Sequence, residues 1–398
     1  MVLMSPAKIF VPVLLAFAML CPLSASSAAP TLRGFQMPIS AVNESSLNDL
    51  KNNWGVNVLR IGIGNDAEMD GTTGAAYDAM MEEQFALLDE KLPLIAARGL
   101  KVIFVFASPP GGFETRVAPS HYAMFSSASL QQEYIEKWRQ IMARYGSNPT
   151  IVAFDLNNEP AHRKALIPPG VRNWNELVQV LIAEIREVSP TATLIVKPLY
   201  GDPNKLASLP VINDSRVEYA YNSYYFLRYQ HTGVGTVPFS IARPDSSAVK
   251  EKIRSTLAPF FRVMYERQRA GLIPDNAFPP KLSVGEAASS ACARESGTFL
   301  ADLLTNLELD ESAGSRSSRE AALTRWRNNR RRFPRRPRPV FNDNDFRRDV
   351  AHTGWAIHAY DEARIWDPRF ECSADGTLSQ AASDTDRATA LKNLFAKN

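Results

Sequence analysis

The sequence lacks the signatures of several large protein classes. Of its 398 residues only three are cysteines, and neither Cys292 nor Cys372 has His or Cys neighbours at metal-ligand spacing, so we expect no zinc site. No glycine-rich fingerprint opens a predicted helix, which disfavours a doubly wound nucleotide-binding fold. After the N-terminus, no apolar stretch approaches the length of a transmembrane helix. We therefore predict neither a metal nor a cofactor.

The N-terminus carries the one marked apolar run. Lys8 precedes apolar residues 9–20, and small residues follow at 24–29, which is typical of a secretory signal peptide over about residues 1–29. We expect a secreted or periplasmic protein, and a membrane anchor or a buried helix is the alternative. Export would permit a disulfide between Cys292 and Cys372, a pairing that the sequence leaves open.

Positive charge is concentrated in one segment. Ten arginines and one glutamate lie between Arg316 and Arg338, so the modest net charge of +3 leaves the rest of the chain acidic. We expect no nucleic-acid partner for the body of the protein. Residues 310–345 have few apolar side chains, which favours an exposed or disordered insertion. The alternative is an electrostatic arm that contacts polyanions.

Strand and helix patterns alternate along the chain. Apolar runs typical of buried strands lie at 31–37, 57–63, 101–106, 151–156, 193–196, 217–221, 281–285 and 354–357. Helical spacing of apolar residues lies at 82–98, 130–145, 175–188, 248–268 and 298–307. This alternation predicts the α/β class and a parallel sheet. Eight such units predict a (β/α)8 TIM barrel over residues 30–398, with the arginine-rich insertion before the last strand.

Two of these strands end abruptly on an acidic residue. The stretch 154–160 carries Glu159, and the stretch 283–287 carries Glu286. A carboxylate at the carboxyl end of a barrel strand lies at the mouth, where such folds place their chemistry. Two glutamates on separate strands could flank one glycosidic bond as acid and nucleophile. We predict this pair as the catalytic residues.

Further motifs accompany the two glutamates: Arg60 in the second strand, Asn-Glu-Pro at 158–160, Tyr224, and Val-Gly-Glu at 284–286. Together they resemble glycoside hydrolase family 5, the retaining cellulases and β-mannanases with a (β/α)8 fold. It implies that Glu159 is the general acid/base and Glu286 the nucleophile. It further implies that Arg60 orients Glu286, that Asn158 holds the sugar 2-hydroxyl, and that Tyr224 hydrogen-bonds the nucleophile.

Other positions depart from the family pattern. Ala107 stands where the family usually has a histidine, and Asn222 stands where it has a second one. His358 stands in the place of the tryptophan that forms a sugar platform, with Trp355 shortly before it. We retain Asn222, Trp355 and His358 as candidate substrate-binding residues. These departures imply that the chemistry is kept while the sugar-binding surroundings differ.

The resulting hypothesis is a secreted, retaining glycoside hydrolase. It would cleave a β-linked polysaccharide or oligosaccharide, such as a β-glucan, cellulose or mannan, by double displacement, and we expect a monomer. A buried Arg60 beside Glu286 would keep that glutamate ionised. An ion pair without catalytic consequence is the alternative for Arg60. For the whole chain, the alternative is a non-catalytic carbohydrate-binding barrel.

Overall fold

A computed structural model describes residues 31–64, 71–114, 121–222, 246–273, 282–287, 352–357, 368–372 and 378–396. The chain divides into residues 1–30 and residues 31–398, and every described residue belongs to the second unit. The predicted signal peptide, the helix at 298–307 and the arginine-rich insertion lie outside the described residues. So do Tyr224, Cys292 and His358.

Eight parallel strands form a closed barrel in chain order. They are β1 (Leu32–Pro38), β2 (Val58–Ile63), β3 (Lys101–Phe106), β4 (Ile151–Asp155), β5 (Leu194–Val196), β6 (Val217–Asn222), β7 (Leu282–Ala287) and β8 (His352–Ile357). β1 pairs with both β2 and β8, which closes the ring. The predicted (β/α)8 barrel is confirmed.

Helices surround this barrel. They are α1 (Glu44–Asn48), α2 (Gly74–Ala97), α3 (Ala128–Tyr145), α4 (Trp174–Val188), α5 (Ser246–Arg269) and α6 (Asp386–Phe395). A π-helical turn, Asp49–Trp54, continues α1 and ends at Gly55 in the left-handed conformation. A two-stranded antiparallel hairpin of β9 (Phe370–Cys372) and β10 (Leu378–Gln380) precedes α6. No helix among the described residues is long and apolar enough to cross a membrane.

The interface between α3 and the barrel shows why the apolar spacing produces this packing. Tyr134, Trp138 and Ile141 share one face of α3 and are fully buried. The Trp138 ring lies 6.0 Å from the Phe104 ring of β3 and 6.5 Å from the Phe154 ring of β4. Burying side chains of this size contributes about 2–3 kcal/mol each. The same interface holds β4 against α3, and the candidate acid Glu159 follows four residues after the end of this strand.

Helix starts differ from the prediction by one or two residues in α3, α4 and α5 and by eight residues in α2. α2 begins at Gly74 and not at Glu82, because Tyr77 and Met81 continue the buried stripe about two further turns towards the N-terminus. The prediction for the end of α2 is confirmed, since Gly99 follows it at φ +66°. α4 begins at Trp174 because the side chain of Asn173 caps it reciprocally with Glu176.

The C-terminal helix α6 was not predicted from the sequence. Its Phe395 ring lies 5.3 Å from Phe35 of β1 and 6.4 Å from Trp54. Leu391 of α6 is fully buried, and the Arg387 guanidinium donates to the carbonyl of Phe370 in the hairpin. α6 therefore completes the core beside β1, so the C-terminal residues belong to the barrel.

Candidate active site

Polar side chains cluster inside the barrel and at the carboxyl ends of its strands. Asp155 ends β4, Lys197 directly follows β5, and Asn222 ends β6. Hydrogen bonds and ion pairs connect them into one group, which we call the rim network. Its members are Gln36, Arg60, Asp155, Asn158, Glu159, Lys197 and Asn222. The predicted site residues Arg60, Asn158, Glu159 and Asn222 are thus brought together.

Arg60 connects β1, β2 and β4. Its side chain is 1% exposed, and one guanidinium nitrogen donates to Gln36, its register partner on β1. The other nitrogen, Nη2, lies 2.9 Å from Asp155 Oδ2 and 2.7 Å from Asn158 Oδ1. Arg60 therefore fixes the residue immediately before Glu159. Its predicted contact with Glu286 stays a prediction, because only the backbone of Glu286 is described.

Lys197 is the second buried cation of the rim network. It is fully buried, and its Nζ lies 3.2 Å from Asp155 Oδ2. The same nitrogen donates to Asn158 Oδ1 at 3.1 Å and to Asn222 Oδ1 at 2.9 Å. Both cations therefore contact the same Asp155 oxygen and the same Asn158 oxygen. A buried charge needs such partners, because isolated burial costs several kcal/mol.

Asn222 connects the candidate acid to the neighbouring strand. Its Nδ2 donates to Glu159 Oε1 at 2.5 Å, and its side chain is fully buried. A Cβ added to Gly201 would lie 2.9 Å from Asn222 Cγ, so the loop after β5 packs tightly against this amide. Gly201 adopts φ +61°, a conformation that glycine allows without strain. Asn222 is therefore held on two sides.

The strand register positions Glu286 beside this pair. Glu286 on β7 is the register partner of Asn222 on β6, at an irregularity in the pairing. Neighbouring strands lie about 4.8 Å apart. The Glu286 backbone therefore lies on the strand next to β6, which carries Asn222, and the Asn222 amide hydrogen-bonds Glu159. Trp355 lies in β8, where its backbone pairs with Arg33 and Val284, and its side chain is not described.

Hydrogen bonds anchor the chain on either side of Glu159. Before it, the Tyr134 hydroxyl donates to the Leu156 carbonyl, and burial raises the pKa of Tyr134, which keeps it a donor. After it, the Pro160 carbonyl accepts from the Tyr200 backbone N–H at 2.9 Å. The Tyr200 hydroxyl donates to the His162 carbonyl at 2.7 Å. The segment that carries Glu159 is therefore fixed from α3 and from the loop after β5.

Two buried histidines accept hydrogen bonds in the loop after Glu159. His162 Nε2 accepts from the Trp174 N–H at 3.2 Å, and His121 Nδ1 accepts from the Arg163 N–H at 3.0 Å. An accepting ring nitrogen carries no proton. Burial lowers the pKa of His162 to about 4 and also lowers the pKa of His121. Both side chains are therefore neutral acceptors near pH 7.

The position where the family has its first histidine is filled differently here. The carbonyl of Ala107, just after β3, accepts from the Tyr122 hydroxyl at 3.3 Å. The Tyr122 ring stacks on Phe113, with ring centres 4.1 Å apart and an angle of 18° between the planes. This loop therefore presents a stacked aromatic pair beside the end of β3. Among the described residues, no group of three His, Cys, Asp or Glu side chains is arranged to hold a metal ion.

Three members of the rim network, Asp155, Lys197 and Gln36, were not predicted from the sequence. Asp155 ends an apolar strand and Lys197 directly follows one, which is a signal for both residues. For Lys197 this signal is weak, because exposed lysines also follow apolar strands. Gln36 gave no such signal, because a single polar residue inside a strand is common on exposed faces.

A closed (β/α)8 barrel with buried, paired charges at the carboxyl ends of its strands has the architecture of a TIM-barrel enzyme. Such enzymes place their active site at this end of the barrel. Comparison with known proteins identifies the family. The profile of the cellulase family, glycosyl hydrolase family 5, matches residues 23–263, which is more than half of the chain. The chain belongs to this family. The match includes Arg60 and Glu159 and ends before β7.

Curated relatives are distant and match in part. Cellodextrinase A of Ruminococcus flavefaciens is 22% identical over 194 residues, which cover 48% of this chain and 54% of that protein. Endoglucanase C of Acetivibrio thermocellus is 28% identical over 102 residues, or 25% of this chain and 28% of that protein. The matched part of the chain thus spans about half the length of the first relative and less of the second.

Solved structures match over most of the barrel. A hyperthermophilic endo-β-1,4-glucanase, solved in complex with substrate, superposes with a TM-score of 0.57 at 14% identity, covering 90% of this chain and 96% of that one. Endo-glycoceramidase II from Rhodococcus sp. superposes with a TM-score of 0.55 at 15% identity, covering 91% and 78%. At these identities the likeness establishes the fold.

Proposed function

We propose that this protein is a retaining β-glycosidase that hydrolyses a β-linked glucan or mannan. Family membership supports glycoside hydrolysis, and the relatives named cellodextrinase and endoglucanase favour a β-glucan. One observation carries the proposal for the site. Asn222 hydrogen-bonds Glu159, the candidate acid, and is the register partner of Glu286, the candidate nucleophile. The Asn222 side chain therefore contacts one glutamate, and its backbone pairs with the backbone of the other.

In the proposed first step, Glu159 donates its proton to the glycosidic oxygen while the bond from that oxygen to the anomeric carbon breaks. The Glu286 carboxylate forms the new bond to the anomeric carbon, which gives a covalent glycosyl-enzyme and a free leaving-group alcohol. In the second step a water molecule gives its proton to Glu159, and its oxygen displaces Glu286. Two inversions at one carbon retain the β configuration.

The rim network supports this division of roles. Arg60 and Lys197 both donate to Asn158 Oδ1, so the Asn158 amide is fixed with its oxygen towards the two cations. Its NH2 group then remains as the donor for the sugar 2-hydroxyl. A hydrogen bond to that hydroxyl strengthens in the transition state and contributes several kcal/mol in such enzymes.

The test is hydrolysis of p-nitrophenyl β-cellobioside and of a panel of soluble β-glucans and mannans. We expect turnover by the wild type and roughly a 10²–10⁴-fold loss in Glu159→Ala, the range of a general acid–base contribution. Glu286→Ala should lose at least as much. Glu187→Ala, an exposed glutamate on α4, serves as the matched control and should keep full activity. The sugar released in the second step should appear first as the β anomer, observed by proton NMR.

The outcomes separate the proposal from its alternative. Cellobiose binding without turnover of any substrate would identify a non-catalytic carbohydrate-binding barrel. A product of inverted configuration would contradict the covalent intermediate at Glu286. Export is part of the proposal, based on the N-terminal apolar run. Sequencing the N-terminus of protein recovered outside the cytoplasm tests it, and cleavage near residue 29 is expected.

A further inference from the structure

Lys197 is a fully buried cation that shares the Asn158 oxygen with Arg60 and also contacts Asn222, a contact to which the proposed mechanism assigns no role. We propose that Lys197 is a positioning residue that orients the amides of Asn158 and Asn222 and, through Asn222, the carboxyl group of Glu159. The inference rests on the proposed function, since it assigns Lys197 to the same reaction.

The ammonium group of Lys197 restricts which atoms can face it. A lysine Nζ carries three N–H donors and no acceptor. Three oxygens lie within 3.2 Å of it, one each from Asp155, Asn158 and Asn222. Both amides must therefore present their oxygen, and not their nitrogen, to Lys197. Lys197 thus determines which way each amide faces.

The orientation of the Asn222 amide determines which of its atoms contacts Glu159. Because its oxygen faces Lys197, its NH2 group faces Glu159 and donates to Oε1 at 2.5 Å. An amide turned by 180° would present an oxygen to that carboxylate, and the hydrogen bond would be lost. Gly201 also packs against this amide, where a Cβ would lie 2.9 Å from its Cγ and its Nδ2. Lys197 directly follows β5 and Gly201 comes four residues later, so the chain after β5 supports Asn222 at two points.

Lys197 places a charged side chain at a fully buried position. Replacing a buried ion pair by apolar residues of similar size is often neutral or stabilising. Stability alone therefore does not explain the charge. A lysine at this position supplies the N–H donors that Asn158 Oδ1 and Asn222 Oδ1 accept, and an apolar side chain would supply none.

The experiment compares two buried lysines. Lys197→Met keeps the length of the side chain and removes the ammonium. Lys137→Met is the matched control, since Lys137 on α3 is also buried and paired, with Asp78, in the helical shell. Substrates are phenyl β-cellobioside, whose leaving group needs a proton, and 2,4-dinitrophenyl β-cellobioside, whose leaving group departs without one.

We expect Lys197→Met to lower kcat/KM for the phenyl substrate about 30-fold, which is less than the roughly 10²–10⁴-fold contribution of a general acid because Glu159 itself is still present. The loss for the dinitrophenyl substrate should be at least about fivefold smaller, because its departure needs little help from Glu159. Lys137→Met should keep the wild-type ratio of the two rates. An equal loss on both substrates in Lys197→Met would overturn the inference. If that variant does not fold, Lys197→Gln, which removes the charge but keeps an amide donor, replaces it.

A crystal structure of Lys197→Met tests the inference without any activity. We expect the Asn222 amide to rotate and its hydrogen bond to Glu159 to be lost, while the backbone of β5 and β6 keeps its place. An unchanged Asn222–Glu159 hydrogen bond would contradict the inference. A wild type that hydrolyses neither glycoside would count against the proposed function, and the crystal structure would still decide the role of Lys197.

Discussion

The barrel mouth and the helical shell use the same charged residue types in opposite ways. In the rim network, the side chains of Arg60, Asp155 and Lys197 are at most 2% exposed. In the shell, Arg139 of α3 pairs with Glu184 of α4, and these side chains are 37% and 43% exposed. The separations are similar, 2.9 Å for Arg60–Asp155 and 2.8 Å for Arg139–Glu184. Burial, and not distance, therefore separates the two sets.

The difference in burial determines how much each set of charges contributes to the free energy of unfolding. Exposed pairs contribute about 0–1 kcal/mol, because water screens them and long side chains lose entropy. Breaking a buried pair by removing one partner costs about 3–5 kcal/mol, because the remaining charge stays buried without compensation. The exposed Arg139–Glu184 pair could therefore be lost at little cost. The charges at the mouth could not, and they are coupled to Asn158 and Glu159.

Removing Asp155 should have the largest effect on stability. Its Oδ2 contacts both Arg60 and Lys197, so Asp155→Asn leaves two buried cations around a neutral amide. We expect a loss of about 3–5 kcal/mol in the free energy of unfolding. Urea-induced unfolding followed by tryptophan fluorescence measures it.

A double variant sharpens this prediction. Adding Lys197→Met to Asp155→Asn removes one of the two cations that lost their counter-charge. We expect the double variant to be more stable than Asp155→Asn alone, because residues in one network are not additive. Losses that simply add would mean that Asp155 and Lys197 act independently, which would contradict the description of the rim network as one unit.

A buried group that stays neutral should give an intermediate effect. Burial lowers the pKa of His162 to about 4, with smaller contributions from His121 and Lys205 in the same direction and an opposing one from Glu176. The unfolded chain takes up this proton near pH 6.5 and the folded chain only near pH 4. The stability associated with His162 is therefore complete above pH 6.5 and is lost as the pH falls towards 4. We expect a loss of about 2–3 kcal/mol over this window.

The measurement is the free energy of unfolding at pH 7 and at pH 4.5, in the wild type and in His162→Gln. Glutamine provides an uncharged acceptor for the Trp174 N–H, so the variant should lose less stability between the two pH values. The same pH dependence in both proteins would show that His162 is not the group that titrates.

The architecture was predictable from the sequence because its signals are local. The alternation of strands and helices follows from periodicity within a few residues. The strand ends are less well predicted, since β4 ends at Asp155, four residues before Glu159, and β7 continues past Glu286 to Ala287. The start of α2 was misplaced because Gly74–Met81 contains only two buried side chains, Tyr77 and Met81, which gives a weak periodic signal. Short windows of sequence therefore predicted the eight-stranded barrel, whereas α1, the β9–β10 hairpin and α6 were not predicted.

The rim network was not predictable in the same way. Lys197 follows an apolar run, as many exposed lysines do, and its burial depends on Asp155, Asn158 and Asn222. These partners come from other strands, up to 42 residues away along the chain in the case of Asp155. Asn222 was interpreted as a substituted sugar-binding position, whereas its hydrogen bond reaches Glu159, 63 residues away. Such contacts exist only once the barrel has closed.

The smallest effect is expected from the exposed pair between α3 and α4. Arg139→Ala should lower the free energy of unfolding by less than about 1 kcal/mol, and the coupling in a double-mutant cycle with Glu184→Ala should be about 0.2–0.5 kcal/mol. That coupling should fall further in 1 M salt, because the screening length shortens to about 3 Å. Unfolding in urea at low and high salt measures both quantities. A coupling above about 2 kcal/mol that resists salt would place this exposed pair in the same class as Arg60–Asp155. Burial would then no longer account for the difference between the shell and the mouth.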